Sequence, residues 1–379
     1  MKFTVNRPAF LKKLKDVQLA VSSRSTIPIL TGIKLIASKE GIQLTGSNSD
    51  ISIETFIRIS DEQSGLKIEE EGQIVLQPAR FFSDIVNKLP DENFTVEVND
   101  RVQTSITSAS SSFIINGLDA ANYPHLPDID TAQSFTLPVN LLKKIIKQTV
   151  IAVSTHESRP ILTGIHLTIN DGKLKAVATD SHRLSQRVIP IEGTEGLSYN
   201  LVIPGKSLQE LTRLLDDSLE EIEVAIAENQ ILFKTDDTLF YSRLLEGNYP
   251  DTDRLIPDSS TTEVALEAHV LLGAVERASL LSHEGKNNVV KLSVKDNTVE
   301  ITGNSPEVGR VNEQVTAQSI NGDDMEISFN PDYLKAALTT FGPVDITLKL
   351  ISTLRPFVLV PTEDKNEFIQ LITPIRTSS

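Results

Sequence analysis

The 379-residue sequence contains no cysteine and no tryptophan. The absence of cysteine excludes disulfide bonds, thiolate metal sites and cysteine nucleophiles, and it favours a reducing cytoplasm as the compartment. No apolar run approaches the length of a bilayer-spanning helix, and the opening MKFTVNRPAFLKKLKD lacks the apolar core of a signal peptide. Because low-complexity tracts are absent too, we expect a soluble cytoplasmic protein, folded throughout, that makes no contact with a membrane.

An internal repeat is the first positive signal. The pentapeptide Pro-Ile-Leu-Thr-Gly begins at Pro28 and again at Pro160, 132 residues later. Three segments, starting at Phe3, Phe135 and Glu263, each have the pattern of a short strand followed by an amphipathic helix. Echoes at such intervals indicate a chain built from copies of one domain.

A second set of landmarks makes the repeat threefold. Pro78, Pro204 and Pro331 lie 126 and 127 residues apart, each where a strand pattern gives way to a helix pattern. The stretches NFTVEVND, IEVAIAEN and VDITLKLI alternate as half-buried antiparallel strands do. We therefore predict an α+β protein of three repeated domains, each with two helices packed on antiparallel sheets. The predicted domains are residues 1–127, 128–257 and 258–379, with polar linkers at 128–134 and 258–263.

Positive charge is concentrated on the predicted helices. The chain carries a net charge of −15, whereas the six helix segments together carry +5, so the remaining residues carry −20. Lysines on a helix commonly do no more than solvate its outer face. A chain that is acidic except along its helices also fits a surface that faces phosphates while the remainder repels them.

Several separated motifs occur in the order seen in one known family. MKFTV, the paired PILTG, ATDSHRLS from Ala178, NYPDTDRLIP and the closing LITPIRTSS resemble the bacterial sliding clamps, the beta subunits of DNA polymerase III. The resemblance covers the whole chain. It implies a head-to-tail homodimer that forms a ring of six similar domains, with sheets outside and twelve helices around double-stranded DNA. It also implies a processivity factor without catalytic activity or cofactor, which tethers replication and repair proteins on the nucleoid.

The number of helices allows an independent estimate of the size of such a ring. Six helices about 10 Å across, set side by side in a circle, enclose a bore of roughly 9 Å, and twelve enclose roughly 28 Å. Duplex DNA, about 20 Å across, fits only the larger bore. Two chains are therefore needed, joined by a head-to-tail contact that closes.

The resemblance also implies a pocket that receives QLxLF-like peptides from the replicative DNA polymerase, the clamp loader and repair polymerases. Ser181 stands where some members have glycine, and Thr373 and Ile375 where some have methionine, which leaves the peptide preference open. Aliphatic walls would anchor the peptide while arginines orient it. The matching residues are Leu162, Thr179, Ser181, His182, Arg183, Leu184, Pro250, Arg254, Leu255, Pro356, Leu371, Thr373, Pro374, Ile375 and Arg376.

Two further surfaces follow from the resemblance. Arg24 matches a DNA-contacting arginine of the family, and these side chains would touch phosphates without reading bases. At the dimer interface, Phe113 would pack against Leu280 and Leu281 of the other protomer, unless all three are buried within their own chain. The candidate DNA-facing residues are Arg24, Lys12, Lys13, Lys15, Lys143, Lys144 and Lys147.

Two other functions compete with this interpretation. Asp180, Ser181 and His182 are the residue types of a hydrolase triad, but a triad converges from separated positions rather than from neighbours on an extended chain. The six histidines show no metal-ligand spacing, so neither catalysis nor metal binding is expected. The rivals are therefore a cytoplasmic repeat scaffold that binds peptides without DNA and a DNA-modifying enzyme. The helix-restricted positive charge argues against the scaffold, and the absence of a catalytic constellation argues against the enzyme.

Overall fold

The computed structural model describes residues 1–126, 128–131, 134–284, 288–364 and 367–376. The predicted boundary at residue 127, two residues of the first predicted linker and the last three residues of the chain lie outside this range. The chain forms two compact units, Met1–Val139 with Gln209–Leu244 and Asn140–Leu208 with Leu245–Ser379.

Each predicted domain contains two α-helices in the part of the chain that the structure describes, which confirms that expectation. Asn6 and Asn330 cap the helices that follow them, since their side-chain oxygens accept from the backbone N–H of Ala9 at 3.2 Å and of Asp332 at 2.9 Å. The helices are α1 (Arg7–Gln18), α2 (Ala79–Lys88), α3 (Val139–Thr149), α4 (Gly205–Leu214), α5 (Ala268–Glu284) and α6 (Pro331–Phe341).

The strands are short, and the described ones pair antiparallel. The first predicted domain has β1 (Lys2–Asn6), β2 (Ile33–Ser38), β3 (Gly41–Ser47), β4 (Ile51–Arg58), β5 (Lys67–Glu70), β6 (Gly72–Leu76), β7 (Asn93–Val98), β8 (Gln103–Ser108) and β9 (Ser111–Leu118). The second has β10 (Phe135–Pro138), β11 (Gly164–Asn170), β12 (Lys173–Thr179), β13 (Arg183–Pro190), β14 (Tyr199–Pro204), β15 (Glu221–Ile226), β16 (Gln230–Lys234) and β17 (Thr238–Arg243). The third has β18 (Thr262–Glu267), β19 (Val290–Lys295), β20 (Thr298–Ser305), β21 (Gly309–Val315), β22 (Ser319–Gly322), β23 (Met325–Phe329), β24 (Asp345–Leu350), β25 (Phe357–Pro361) and β26 (Phe368–Ile372).

The alternating stretches singled out in the sequence form strands, as predicted: they coincide with most or all of β7, β15 and β24. The second predicted linker is shorter than expected, because β18 begins at Thr262, inside the range assigned to the linker. Thr262 is fully buried there, and its hydroxyl donates to the carbonyl of Asp323 at 2.7 Å, which accounts for its place in the strand.

Strand pairing explains why the compact units divide the central domain. In the first unit one sheet has the order β10-β15-β16-β17-β4-β3-β2-β6-β9-β8-β7-β1-β5. In the second unit one sheet has the order β14-β11-β12-β13-β26-β25-β24-β18-β22, and a smaller sheet the order β21-β20-β19-β23. Half of the central strands thus extend the sheet of the first domain, and half extend that of the third.

Helices pack closely on the sheet of the first unit. Phe10 of α1 makes ring contacts with Phe3, Phe82 and Phe94 at centroid distances of 6.2, 6.1 and 5.2 Å, which ties two strands and two helices together. At Gly46 of β3, a Cβ would lie 2.2 Å from the carbonyl oxygen of Val17, so α1 can cross the sheet there only over a glycine.

The half-buried carboxyl of Asp16 lines a cavity of about 140 Å³ in the first unit. Lys12 and Lys13 of α1 form ion pairs with Asp216 and Asp237 around it. Burial raises the pKa of the Asp16 carboxyl to about 6, because the attraction of the two lysines offsets only part of its desolvation and the two other carboxylates add to it.

We expect Asp16→Asn to stabilise the protein at neutral pH. The pKa of Asp16 is higher in the folded state, about 6, than its ordinary value of 3.8, so the folded state binds the proton more tightly. The stability that this proton contributes is fully present below pH 3.8 and is lost as the pH rises through about 6. The variant should exceed the wild type in free energy of unfolding by on the order of 2 kcal/mol at pH 7.5 and by almost nothing at pH 4. Urea unfolding followed by circular dichroism across this range measures the difference.

The control is Asp84→Asn on α2, which removes an exposed carboxylate. If the difference between Asp16→Asn and the wild type does not change with pH, the Asp16 carboxyl does not titrate in this window.

Candidate peptide-binding site and DNA-facing helices

The predicted pocket residues of the second unit collect around the pairing of β12, β13 and β26. Thr179 pairs with Leu184 across β12 and β13, and Leu184 pairs with Leu371 across β13 and β26. Leu184 and Leu371 are buried in a small apolar cluster completed by Val177, Val358, Val360 and Ile369, with Ile256 packed against it. The aliphatic residues expected to anchor a peptide are therefore adjacent, although most of their surface is core.

The turn between β12 and β13 is fixed by Asp180. Its Oδ1 accepts from the backbone N–H of His182 at 2.9 Å and of Arg183 at 3.0 Å, and its Oδ2 accepts from Arg183 Nε at 2.9 Å. Ser181 takes a left-handed conformation with φ of +79°, a region that glycine occupies without strain. Both oxygens of the Asp180 carboxylate accept hydrogen bonds within this turn. Asp180, Ser181 and His182 therefore do not form a hydrolase triad.

Tyr333 of α6 lies beneath the turn, and sequence reasoning missed it. The Arg183 guanidinium stands 4.6 Å from the centre of its ring, and the His182 ring stacks on it at 6.3 Å and 16°. A cation over an aromatic face is held in place by the ring quadrupole. No pattern links positions 183 and 333 in the sequence, so only the folded structure could place Tyr333 in the site.

Tyr249 supports the other side of the turn. Its hydroxyl accepts from the backbone N–H of Thr179 at 3.1 Å, and its ring stacks on His166 at 4.8 Å. Burial raises the pKa of Tyr249 to about 12, so the group stays a neutral phenol. This residue did carry a sequence signal, since it lies in the repeated Asn-Tyr-Pro that precedes each of the first two predicted boundaries.

The carboxy-terminal segment after β26 is tied to the same turn. Thr373 donates to the His182 carbonyl through both its backbone N–H, at 2.9 Å, and its hydroxyl, at 2.8 Å. The backbone N–H of Ile375 donates to the Ser328 carbonyl at 2.7 Å. The segment therefore runs alongside the turn and leaves Arg376 exposed.

The remaining predicted pocket residues lie on connecting segments of the second unit. Leu162 is buried on the 3-10 turn Pro160–Thr163, Pro250 is exposed directly after Tyr249, and Pro356 is half-buried just before β25. Leu255 is 49% exposed, and the exposed Arg254 forms an ion pair with Asp251 at 2.8 Å.

The candidate DNA-facing cations divide into two groups. Arg24, Lys15, Lys144 and Lys147 are exposed, and Lys12 is exposed while paired with Asp216 at 3.4 Å. Lys13 differs, because its side chain is only 17% exposed and its ammonium is paired with Asp237. Lys143 is half-buried. Lys13 is therefore less accessible than Arg24, Lys12, Lys15, Lys144 and Lys147, and the sequence could not reveal its pairing.

The residues predicted at the dimer interface lie at the surface of their units rather than in the core. Leu280 of α5 is 68% exposed, Leu281 is half-buried, and Phe113 of β9 is 39% exposed beside Ile114 at 71%. β9 pairs with β8 along most of its length and with β6 only at Gly117 and Leu118. These exposures contradict burial of Leu280 and Phe113 within their own chain.

Within the described residues, no helix is long and apolar enough to cross a membrane. In the same part of the chain, no group of three or more histidine, aspartate or glutamate side chains is arranged to hold a metal ion.

Known proteins match this chain along its whole length. Residues 1–127, 136–251 and 253–376 match the N-terminal, central and C-terminal domains of the DNA polymerase III beta subunit. The beta sliding clamp of Bacillus subtilis (strain 168) is 49% identical over 379 residues, with all of both chains covered. That of Streptococcus pneumoniae (TIGR4) is 44% identical over 377 residues, 99% of each chain.

The comparison with solved structures gives the same family. The DNA polymerase III beta chain of Streptococcus pneumoniae TIGR4 is 44% identical with a TM-score of 0.96, covering 99% of this chain and 100% of that one. The DNA polymerase sliding clamp of Bacillus subtilis is 48% identical with a TM-score of 0.96, both chains being covered completely. Three matched domains and full-length identity above 40% place the chain in the family of DNA polymerase III beta subunits, the bacterial DNA sliding clamps.

Proposed function

We propose that this sliding clamp encircles double-stranded DNA as a head-to-tail homodimer, and that it tethers the replicative DNA polymerase to its template on the nucleoid. The observation that carries the proposal is the charge distribution. Exposed cations on and near α1 and α3 stand out from a chain whose net charge is −15. Such a surface can lie against phosphates without reading sequence, while the acidic remainder discourages adhesion to DNA elsewhere.

The chain is not an enzyme. Its relatives are sliding clamps rather than catalysts, and the one triad-like stretch, at Asp180, serves as a backbone turn. Processivity then comes from topological linkage to DNA, because a closed ring cannot come off a DNA molecule that has no free end.

For the partners, we propose that the turn around His182 and Arg183 and the segment after β26 form one docking site. QLxLF-like peptides of the replicative polymerase, the clamp loader and repair polymerases would bind here. The buried Leu184 and Leu371 offer an aliphatic floor, and Leu255 is exposed to cover an apolar side chain. The Arg183 guanidinium, held over Tyr333, gives the peptide a fixed orientation.

The dimer prediction concerns Leu280. Because Leu280 is exposed in the single chain, Leu280→Asp should leave the chain folded, and a carboxylate buried without a partner at the subunit contact should split the dimer. Light scattering at micromolar concentration should show the mass of two chains for the wild type and of one chain, 41.6 kDa, for the variant. Leu354→Asp, at another exposed leucine, should stay dimeric. A dimeric Leu280→Asp would place the interface elsewhere.

The peptide prediction concerns the carboxy-terminal segment. Deleting residues 374–379 keeps β26 intact but removes Pro374, Ile375 and Arg376 from beside the His182 turn. A fluorescent QLxLF-type peptide should bind at least tenfold more weakly, a loss of about 1.4 kcal/mol, because part of the pocket wall and one cation are gone. Fluorescence anisotropy measures the affinity. Deletion of residues 377–379 alone is the control, and equal affinities in a folded 374–379 deletion would refute the assignment.

The DNA prediction separates a ring from an ordinary DNA-binding protein. A protein held by six to ten phosphate contacts loses about a thousandfold or more in affinity between 50 and 200 mM salt. A ring held by linkage should stay on a nicked circular plasmid through this salt change and leave soon after the plasmid is cut. The protein is loaded with a matching clamp loader and ATP, and retention is followed by gel filtration before and after cutting.

Salt-dependent loss from intact circles, combined with retention on cut DNA, would mean that phosphate contacts hold the protein and that the ring proposal is wrong.

A further inference from the structure

A cavity of about 160 Å³ opens in the first unit where the β3–β4 turn, β16, β17 and the segment after Tyr123 meet. None of the predicted functional residues lines it. Its walls come from the stretch GSNSDIS, which occupies in the first domain the place that ATDSHRLS occupies in the second.

Sheet topology shows that the two places are structurally equivalent. In the first unit, eight consecutive strands have the order β10-β15-β16-β17-β4-β3-β2-β6. In the second unit, the run β18-β24-β25-β26-β13-β12-β11-β14 repeats that order with equivalent strands. The pairing of β4 with β17 therefore corresponds to the pairing of β13 with β26, around which the proposed peptide site is built.

The turns correspond in their hydrogen bonds as well. Ser47 pairs with Ser52 as Thr179 pairs with Leu184. The Asn48 Oδ1 accepts from the backbone N–H groups of the second and third residues after it, at 2.8 and 2.9 Å, as the Asp180 carboxylate does at 2.9 and 3.0 Å. The turns Ser47–Ser52 and Thr179–Leu184 therefore share one main-chain arrangement, and we call each of them a cradle.

The segment that closes the cradle is also equivalent. The backbone N–H of Arg243, one residue past the last pair of β17 with β4, donates to the Asp50 carbonyl at 2.9 Å, as that of Thr373 donates to the His182 carbonyl at 2.9 Å. The register therefore sets Arg243 in the place of Thr373.

Side chains distinguish the two cradles. By the strand registers, Ser52 stands in place of Leu184, Tyr241 in place of Leu371 and Gln230 in place of Pro356. The apolar floor is thereby replaced by a hydroxyl, a phenol and an amide. The Ser52 hydroxyl already shares a hydrogen bond with the Ser47 hydroxyl at 2.6 Å. An aliphatic anchor would still cover the Tyr241 phenol and the Gln230 amide without offering either a hydrogen bond, so the cavity does not favour one.

We propose that this cavity is a second peptide-docking site, which takes an extended polar segment carrying one acidic side chain. The inference rests on the proposed function, because peptide binding is proposed for the cradle Thr179–Leu184 and is here extended to the cradle Ser47–Ser52. Main-chain geometry that suits an extended peptide is common to both, whereas the lining selects a different sequence.

The charges of the lining define where the acidic side chain lies. The lining contains one arginine, Arg243, and one aspartate, Asp50, and both are exposed. A carboxylate on the peptide would meet the Arg243 guanidinium, whose forked donors suit it, while a hydroxyl or amide next to it would donate to Asp50. Burial, with the nearby carboxylates of Glu54 and Asp128, raises the pKa of Tyr241, so its phenol remains a neutral donor.

The experiment screens a displayed heptapeptide library on the wild-type protein while an excess of QLxLF-type peptide fills the other site. We expect peptides that contain aspartate or glutamate beside serine, threonine, asparagine or glutamine. Their affinity, measured by fluorescence anisotropy, should fall at least tenfold in Arg243→Ala, since the charged partner is lost. Tyr241→Phe, which removes only a hydroxyl, should weaken binding by a smaller factor.

Two controls make the result specific. Arg101→Ala removes an exposed arginine from the turn between β7 and β8 of the same unit and should leave the affinity unchanged. Deletion of residues 374–379 should also leave it unchanged while weakening the QLxLF-type peptide, so that failure at one site can be told from failure at the other. Recovery of no acidic peptide, or of peptides that bind Arg243→Ala as well as the wild type, would overturn the proposal.

Discussion

Main-chain pairing between strands of successive repeats is the constraint on which the rest of this structure depends. β4 of the first repeat pairs with β17 of the second, and β13 of the second pairs with β26 of the third, in both cases antiparallel. Backbone hydrogen bonds hold paired strands together whatever side chains they carry, because every residue except proline supplies the same donor and acceptor. The junctions could therefore keep their geometry while their side chains diverged.

This constraint also explains which features of the fold the sequence predicts. Strand-to-helix transitions are local, so the asparagine caps at Asn6 and Asn330 and the proline that starts α6 leave signals that can be recognised in a single segment. The threefold repeat is visible because copies resemble one another. The joining of half the central domain to each neighbour is not local, and the sequence interpretation placed all its strands in one domain.

In the candidate site, too, the stretches that match family motifs could be predicted from the sequence, whereas contacts between distant positions could not. Residues 179 to 184 and 371 to 376 could be assigned by resemblance, and the structure brings the two stretches together through β13 and β26. Tyr333 escaped prediction because its contact with Arg183 spans 150 positions. The pairing of Lys13 with Asp237 escaped for the same reason, since a helix pattern records which residues share a face but not what approaches that face.

Ion pairs along α1 bear on how firmly a clamp should hold DNA. Exposed pairs such as that of Lys12 with Asp216 add little to stability, but each places a carboxylate beside a cation that could otherwise face a phosphate. The positive field of the helix is thereby reduced without being removed. A protein that must stay on DNA and still move along it benefits from this compromise, because strong phosphate contacts would slow sliding. On the proposed function, retention is left to the closed ring, and weakly positive helices suffice beside the duplex.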